Sequence, residues 1–251
     1  MSINIVIANQ KGGVGKTTSA SSLAHGLALR NRRVLLVDFD PQGQCATALA
    51  VNPEPCVFRV LITPTDDIHQ WIRQTRRERL EILPGDRTTA TAQTVIAAEN
   101  RPITAIYEIL TFLSKEYDYI ILDTAPSVGG IQERAIYAAN IVLVPTATEY
   151  LSMDGLAQTM ELFQRIRKDA HWSGGLAGVL PTFYDELTDE SKKSMEQLKA
   201  TFGDDYLLHP IHRATVLREC AAEGKTIFEK SPSSRSSQEY TALAREVLRR
   251  S

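Results

Sequence analysis

The sequence is poor in cysteine, in aromatic residues and in long apolar runs. Its three cysteines, Cys45, Cys56 and Cys220, are odd in number and widely spaced, which argues against a disulfide framework and against a zinc site. No apolar run approaches the ~20 residues that a membrane span needs, and residues 1–8 lack the pattern of a signal peptide. We therefore expect a cytoplasmic protein whose cysteines are small core residues or free thiols.

The chain also lacks a large excess of charge of either sign. The net charge of −2 excludes a uniformly basic nucleic-acid binder, although residues 209–251 carry 8 Lys or Arg against 5 Asp or Glu. The chain has 251 residues and 43% hydrophobic content, enough for a full core. We expect one domain over residues 1–251.

A glycine-rich stretch at residues 9–18 directly follows the apolar run 3–8. It fits the phosphate-loop pattern G-x-x-x-x-G-K-[ST] if the first glycine sits elsewhere, with Lys11 in the region where that glycine is expected. Successive amides of Gly12, Gly13, Val14 and Gly15, together with a helix N-terminus, would form a polyphosphate cradle. The alternative is a glycine-rich turn without a ligand. The succession of strand, loop, Lys-Thr and helix favours the cradle.

The side chains that close this loop have separate expected roles. Lys16 would neutralise the outer phosphates, Thr17 would hold Mg²⁺, and Thr18 would continue the cradle. His25, behind the loop on the predicted helix, is interpreted as a packing residue.

Strands and helices alternate along the chain, which predicts an α/β fold with a doubly wound, mostly parallel sheet flanked by helices. The predicted strands are 3–8, 34–37, 80–83, 119–123, 141–144, 176–180 and 206–211. The predicted helices are 19–31, 88–98, 102–113, 131–139, 156–167, 189–202, 214–222 and 238–250. The arginines at 73, 76, 77 and 79 are interpreted as a solvated helix face, with a binding patch as the alternative.

Three acids stand where predicted strands end. Asp123 closes an apolar strand and fits the acid that supports Mg²⁺ in phosphate-loop enzymes. Asp38 and Asp40 alternate on another strand end, so only one can face a γ-phosphate. We assign Asp40 to the attacking water and Asp38 to outer-shell Mg²⁺ support. Taken alone, Asp38-Phe39-Asp40-Pro41 could equally be a turn in which aspartate caps the following backbone.

Together, the segments 11–18, 38–43 and 123–127 resemble the deviant-Walker-A P-loop ATPases, specifically the ParA/Soj partition branch, with MinD a more distant relative. The resemblance implies an Mg²⁺-dependent ATPase that dimerises with ATP. Lys11 would reach the phosphates of the partner subunit, so the candidate catalytic residues are Lys11, Lys16 and Asp40. The loops at Asp40 and Asp123 would be switches ordered by the γ-phosphate.

The resemblance places the adenine contacts after the strand 176–180 and after 206–211. Thr182, Ile211 and His212 occupy those positions, where the family commonly has an Asn and a Pro. A second departure lies in the first switch, which reads Gln44-Cys45-Ala46-Thr47 instead of the more usual Asn-Ala-Thr.

The implied partners are non-specific DNA and a ParB-like activator, with plasmid, chromosome or other cargo segregated and the ATP state associated with the nucleoid. Phosphate contacts need Lys and Arg. The candidates are Arg213, Arg218, Lys225, Lys230 and Arg235. Alternatively, they are surface charges balanced by Glu219, Glu223 and Glu229, and Arg213 and Arg218 could line the base pocket or the dimer interface.

Two further functions are suggested by parts of the sequence or by its fold class. A MinD-like membrane-cycling ATPase is suggested by the amphipathic end 240–250 with Arg245, Arg249 and Arg250, although such a helix more often docks on its own core. An electron carrier like the nitrogenase iron protein would need cysteines that bridge a cluster between subunits, and the three present do not match.

Overall fold

The centre of the computed structural model is a twisted sheet, and the structure describes residues 1–54, 56–63, 67–126, 130–149 and 152–251, without the side chains of residues 152 and 153. Within those ranges the sheet has seven strands in the order β3-β4-β2-β5-β1-β6-β7, all parallel except β3. The strands are β1 (Ile3–Ile7), β2 (Val34–Asp38), β3 (Arg73–Gln74), β4 (Leu80–Leu83), β5 (Tyr119–Asp123), β6 (Ile141–Ala147) and β7 (Gly175–Thr182). The predicted doubly wound sheet is confirmed.

Helices cover both faces of the sheet. They are α1 (Lys16–Ala28), α2 (Gln44–Ala48), α3 (Val57–Ile62), α4 (Thr88–Ala98), α5 (Ala105–Leu113), α6 (Ile131–Ala138), α7 (Ser152–Asp169), α8 (Asp189–Tyr206), α9 (Thr215–Ala222), α10 (Ile227–Lys230) and α11 (Arg235–Arg250). A short 3-10 turn covers Ile68–Trp71.

Alternation along the central strands divides the core into two layers. On β5, Ile120 and Leu122 pack with α5 and α6, whereas Ile121 packs with α1 and α11. All three side chains are fully buried, as expected for a parallel sheet covered on both faces. The register of β5 sets Asp123 beside Asp38 of β2 on one side and beside Ile7 of β1 on the other, so the strand-end acids meet where the glycine-rich loop begins.

The predicted strand over 206–211 is wrong. Tyr206 ends α8, and the following residues run beside β7 through isolated bridges, from Leu207 to Val179 and from His212 to Tyr184. Pro210 interrupts this segment, and a proline has no N–H for a ladder. The segment nevertheless stays against the sheet edge, because the amide of Ile211 donates to the Pro181 carbonyl at 2.8 Å.

The predicted solvated helix at the arginine cluster is also wrong. Residues 73 and 74 form the antiparallel edge strand, and Arg77 is buried in the turn that follows. Its guanidinium donates to Glu229, to the Leu49 carbonyl and to the Gly224 carbonyl at 2.7–2.9 Å. One planar cation with several donors thereby ties α2 to the turn before α10.

The terminal helix docks on its own core, as predicted. Tyr240, Leu243, Ala244 and Val247 are buried, and α11 packs along α1. Within the described ranges, no helix is both long and apolar enough to cross a membrane.

Candidate nucleotide site

The loop between β1 and α1 is shaped by two glycines in the left-handed region. Gly13 has φ 74° and Gly15 has φ 84°, a conformation that costs little only without a Cβ. Gly15 is the N-cap of α1, so the loop amides and the positive end of the helix dipole lie together. Thr182 of β7 supports this loop, its hydroxyl donating to the Val14 carbonyl at 2.9 Å.

The two lysines of the loop are in different situations. Lys16 is 6% exposed, and its Nζ donates to the Lys11 carbonyl at 2.9 Å. Burial lowers the Lys16 pKa, and the charges of Asp123 and Asp40 act against that shift. Lys11 has its amide bound to Asn9 Oδ1 at 2.9 Å, but its ammonium makes no hydrogen bond or ion pair with any described residue.

Asp38 and Asp123 form a fully buried pair of acids on neighbouring strands. Burial raises the pKa of Asp123 to about 6, and burial together with the charge of Asp123 raises the pKa of Asp38 well above its ordinary value. Asp123 accepts from the Thr17 hydroxyl and, at 3.3 Å, from the Cys45 thiol. Its Oδ1 has no partner within the described ranges.

This donor set fits a hard divalent cation. Buried polar atoms almost always have partners, so an orphaned carboxylate oxygen beside a threonine hydroxyl indicates a group that binds there. Oxygen donors of this kind are those that Mg²⁺ prefers. One oxygen each of Asp38 and Asp123 and the Cys45 sulfur lie within 4.8 Å of one another.

The acids at the end of β2 also hold their own turn. Asp38 accepts from the amides of Asp40 at 3.0 Å and Cys45 at 3.1 Å, and Asp40 accepts from the Gln42 amide at 2.9 Å. The turn interpretation therefore describes real contacts of both residues. Only Asp40, which is partly exposed, also lines the adjacent cavity.

Two cavities join at the loop and together form a trough. The first has a volume of ≈ 570 Å³, within the range of about 300–1,000 Å³ usual for ligand sites, and is lined by the loop, the Asp40 turn, Ala125 and Pro126. The second has a volume of ≈ 430 Å³ and is lined by Thr182, Ile211 and His212, among others. Their shared walls are Gly13, Gly15, Thr18 and Phe183. The trough suits a polyphosphate at the end near the loop and a flat ring system at the other end.

Comparison with known proteins identifies the family. Residues 2–173 match a family model described as an AAA domain. The chain is 34% identical to the sporulation initiation inhibitor protein Soj of Bacillus subtilis over 97% of each chain, and 35% identical to the chromosome-partitioning ATPase Soj of Thermus thermophilus, covering 98% of this chain and 95% of the relative. The chain belongs to the Soj/ParA family of ATPases. The resemblance drawn from the sequence is confirmed.

A solved structure carries a similar fold around a bound nucleotide. Cobyrinic acid a,c-diamide synthase from Mycobacterium smegmatis, with bound ADP and magnesium, has a TM-score of 0.85 and 28% identity, covering 99% of this chain and 95% of that chain.

At the far end of the trough in this Soj/ParA ATPase, His212 is held from both sides. Its Nε2 lies 2.6 Å from Arg235 Nη2 and its Nδ1 lies 2.6 Å from Glu239 Oε1. Since a guanidinium only donates, Nε2 accepts and the ring proton sits on Nδ1, facing Glu239. Neither ring nitrogen is left to bind a base, so His212 offers the trough the surface of its ring.

Three residues of the site were missed from the sequence. Phe183, at the left-handed φ of 54°, walls both cavities, and Tyr240 of α11 lines the second. Cys45, noted only as a departure from the family pattern, binds Asp123. Phe183 follows the predicted Thr182 directly, but no sequence signal distinguishes Tyr240 from the other apolar positions of its helix.

The basic residues predicted to contact DNA are mostly paired with acids. The pairs are Arg213 with Glu149, Arg235 with Glu186 and Glu239, Lys225 with Glu223, and Lys230 with Glu223 and Glu219. Glu229 pairs with Arg77 instead. Arg218 is exposed, makes no ion pair with a described residue, and lines the second cavity.

Proposed function

We propose that this chain binds ATP with Mg²⁺, dimerises in the ATP state, and in that state binds DNA without sequence preference. A ParB-like partner then stimulates hydrolysis, and the cycle segregates or positions a plasmid, a chromosome or another cargo. The chain would act in the cytoplasm and associate with the nucleoid when ATP is bound. Family membership supports this cycle in outline.

The observation that carries the proposal is the contrast between the two loop lysines. Lys16 is buried under its own loop, where its charge serves phosphates bound in the same subunit. Lys11 keeps an ammonium without a partner in the described part of the chain, on the rim of the same cradle. A cation without a partner in the described part of its own subunit is available to phosphates held by a second subunit.

The metal would be held by the groups around the orphaned oxygen of Asp123. Thr17 would supply its hydroxyl, and Asp123 and Asp38 would supply carboxylates. Mg²⁺ supplies charge neutralisation for the β and γ phosphates. Asp123 then keeps its charge when the cation is present, against the burial that raises its pKa.

Asp40 would orient the attacking water. It lines the phosphate cavity and is anchored by the Gln42 amide through one oxygen, so its position follows the conformation of the turn. A turn that orders with the γ-phosphate would then place this carboxylate only in the ATP state.

DNA contact would come from the basic C-terminal residues after dimerisation. Because four of the five candidates pair with acids in one subunit, the free charge of a single subunit is low. Arg218 is the candidate that makes no such pair with a described residue. Binding that needs two subunits explains how a chain of net charge −2 can bind DNA only when ATP is bound.

The test measures mass by light scattering and binding to random-sequence duplex DNA by fluorescence anisotropy, with ATP, with ADP and without nucleotide. We expect a dimer and DNA binding only with ATP and Mg²⁺, and an affinity that falls steeply with salt. Lys11→Ala should remain a monomer with ATP, whereas Lys193→Ala, an exposed lysine of α8, should behave as wild type. A monomeric wild type in ATP, or an ATP dimer that binds no DNA, contradicts the proposal.

A further inference from the structure

Helix α7 meets the start of the phosphate loop at a very close contact. A Cβ built on Gly155 would lie 2.7 Å from the Cβ of Lys11, 3.0 Å from Asn9 Oδ1 and 3.3 Å from the Lys11 amide nitrogen. Real Cβ atoms do not approach other atoms to 2.7 Å. The atom in the way is the root of the lysine side chain, which cannot move aside without the backbone.

A second residue of α7 binds the same stretch of backbone. The Thr159 hydroxyl, one turn beyond Gly155, accepts from the Gln10 amide at 3.1 Å and donates to the Gly155 carbonyl at 2.6 Å. Thr159 is 1% exposed, so no water replaces these bonds. One hydroxyl can serve both roles, since it has one proton and two lone pairs.

Asn9 completes this contact from the sheet. It is fully buried, donates to the Pro145 carbonyl of β6 at 2.8 Å and accepts from the Lys11 amide at 2.9 Å. Residues 9, 10 and 11 are therefore fixed by β6 and α7. The later part of the loop is fixed elsewhere, through the bond from Thr182 to Val14.

We propose that Gly155 and Thr159 are positioning residues for Lys11, and that the missing side chain at position 155 sets where the lysine leaves the loop. The inference rests on the proposed role of Lys11 toward a second subunit. The Lys11 ammonium has no partner in the described structure that could place it, so its position depends on its backbone and its Cβ. A displacement of about 1 Å at a reacting group can lower a rate about 100-fold.

A change at Gly155 should separate nucleotide binding by the cradle from the contacts made by Lys11, which a mutation within the loop would normally change together. The three atoms nearest to a Cβ at position 155 belong to Asn9 and Lys11 and not to the cradle at residues 13–16, so a nucleotide should still bind when position 155 carries a methyl group. Only contacts made by Lys11 should be lost.

The experiment is a double-mutant cycle with Gly155→Ala, Lys11→Ala and the double variant. ATP hydrolysis is measured with random-sequence DNA, ATP-dependent dimerisation by light scattering, and ADP affinity by titration calorimetry. We expect Gly155→Ala to lower kcat at least about tenfold and to prevent the ATP dimer. The ADP affinity and KM for ATP should stay within about twofold, and the double variant should match Lys11→Ala, because both changes act through one contact.

The matched control is Gly175→Ala. Gly175 begins β7, and a Cβ there would meet no atom within 4 Å. This variant should hydrolyse ATP as the wild type does. Alanine has a higher helix propensity than glycine, so Gly155→Ala should not weaken α7 itself.

Thr159 gives a second, milder pair of variants. Thr159→Ser keeps the hydroxyl and should keep the activity, whereas Thr159→Val keeps the shape, leaves the Gln10 amide without a partner, and should lower kcat without changing ADP affinity. Recovery with serine would not follow if the residue served only to fill space.

The outcomes distinguish the proposed role of Lys11 from the positioning role of Gly155 and Thr159. If Lys11→Ala hydrolyses and dimerises as wild type, the proposed role of Lys11 fails and the positioning inference fails with it. If Lys11→Ala is defective while Gly155→Ala and Thr159→Val are normal, only the positioning inference is overturned. A loss of ADP affinity in parallel with kcat, or a double variant worse than Lys11→Ala by the product of the single effects, shows a purely structural role and also overturns it.

Discussion

The two ends of the nucleotide trough are built in different ways. The phosphate end, residues 12–18 with Asp40 and Ala125, is made of backbone amides and strand-end acids, and its buried charges are incompletely paired. The base end, residues 182–183 and 211–221 with Tyr240, is made of side chains from several distant segments. Its charges are largely neutralised within the subunit, as in the pairs of Arg213 with Glu149 and Arg235 with Glu239.

This difference in charge pairing indicates that the phosphate end lowers the stability of the fold in exchange for ligand binding. A buried pair of carboxylates destabilises the fold, and the hydrogen bonds to Asp38 and Asp123 offset only part of this cost, because one oxygen of Asp123 has no partner among the described residues. The paired charges of the base end carry no such penalty and hold the irregular segment 207–214 in place. A ligand should therefore gain most of its charge-dependent affinity at the phosphate end.

The largest expected effect is that of removing Lys16. Lys16→Ala deletes the buried cation beneath the cradle and should lower kcat/KM for ATP about 1000-fold, since no other described lysine can take its place. Lys225→Ala removes an exposed lysine already paired with Glu223 and should change nucleotide binding, measured without DNA, by less than about twofold. Equal losses in the two variants would show that the buried position of Lys16 gives its charge no special role in nucleotide binding.

Asp40→Ala should separate hydrolysis from binding at the phosphate end. Without its carboxylate, kcat for ATP hydrolysis should fall about 100-fold, while ATP affinity and the ATP dimer persist. Asp189→Ala at the exposed start of α8 is the control and should hydrolyse ATP normally. A normal rate in Asp40→Ala would exclude Asp40 from the role assigned to it.

The phosphate end could be predicted because its information is local. The apolar strand, the glycines with positive φ and the helix start fall within residues 3–18, and parallel strands deliver Asp38 and Asp123 to the same edge. The same locality explains why the predicted bounds of β4, α4 and β5 agree with the structure.

The base end could not be predicted to the same depth because tertiary contacts decide it. The pattern at 206–211 is typical of a strand, but the chain reaches the sheet edge only in isolated bridges around Pro210. Arg77 is part of a charge cluster in sequence, and only the fold supplies the carbonyls and the carboxylate that bury it. Tyr240 enters the cavity because α11 packs on α1, which no local pattern encodes.

The packing around His25 on α1 should make the stability of the fold sensitive to acid. His25 of α1 binds the Thr226 hydroxyl at 2.6 Å, with Phe228, Glu229 and Arg77 around it. Burial lowers its pKa from 6.5 to about 4, with Glu229 acting against the shift and Arg77 adding to it. As the pH falls, the unfolded chain takes up the His25 proton before the folded chain does. The stability that the neutral His25 contributes is therefore fully present above about pH 6.5 and is lost as the pH falls toward 4.

This loss should reach about 2 kcal/mol at pH 5 in the free energy of unfolding, measured with urea. The raised pKa values of Asp38 and Asp123 act in the opposite sense over the same range, so the measurement compares wild type with His25→Gln. The variant is less stable throughout because it loses the ring contact with Phe228, but the difference between the two proteins should shrink as the pH falls. A constant difference would show that His25 is not held neutral.

The smallest expected effect belongs to the base end. Phe183 walls both cavities, and the Arg213 guanidinium lies 5.9 Å from its ring centre. Phe183→Leu keeps an apolar side chain but removes the aromatic face, and should weaken ADP and ATP binding about fivefold. At saturating ATP the kcat should be unchanged, because an apolar ring can neither orient the attacking water nor hold Mg²⁺. If kcat falls while affinity is kept, Phe183 acts on the phosphate end, and the division of the trough into two independently built ends is wrong.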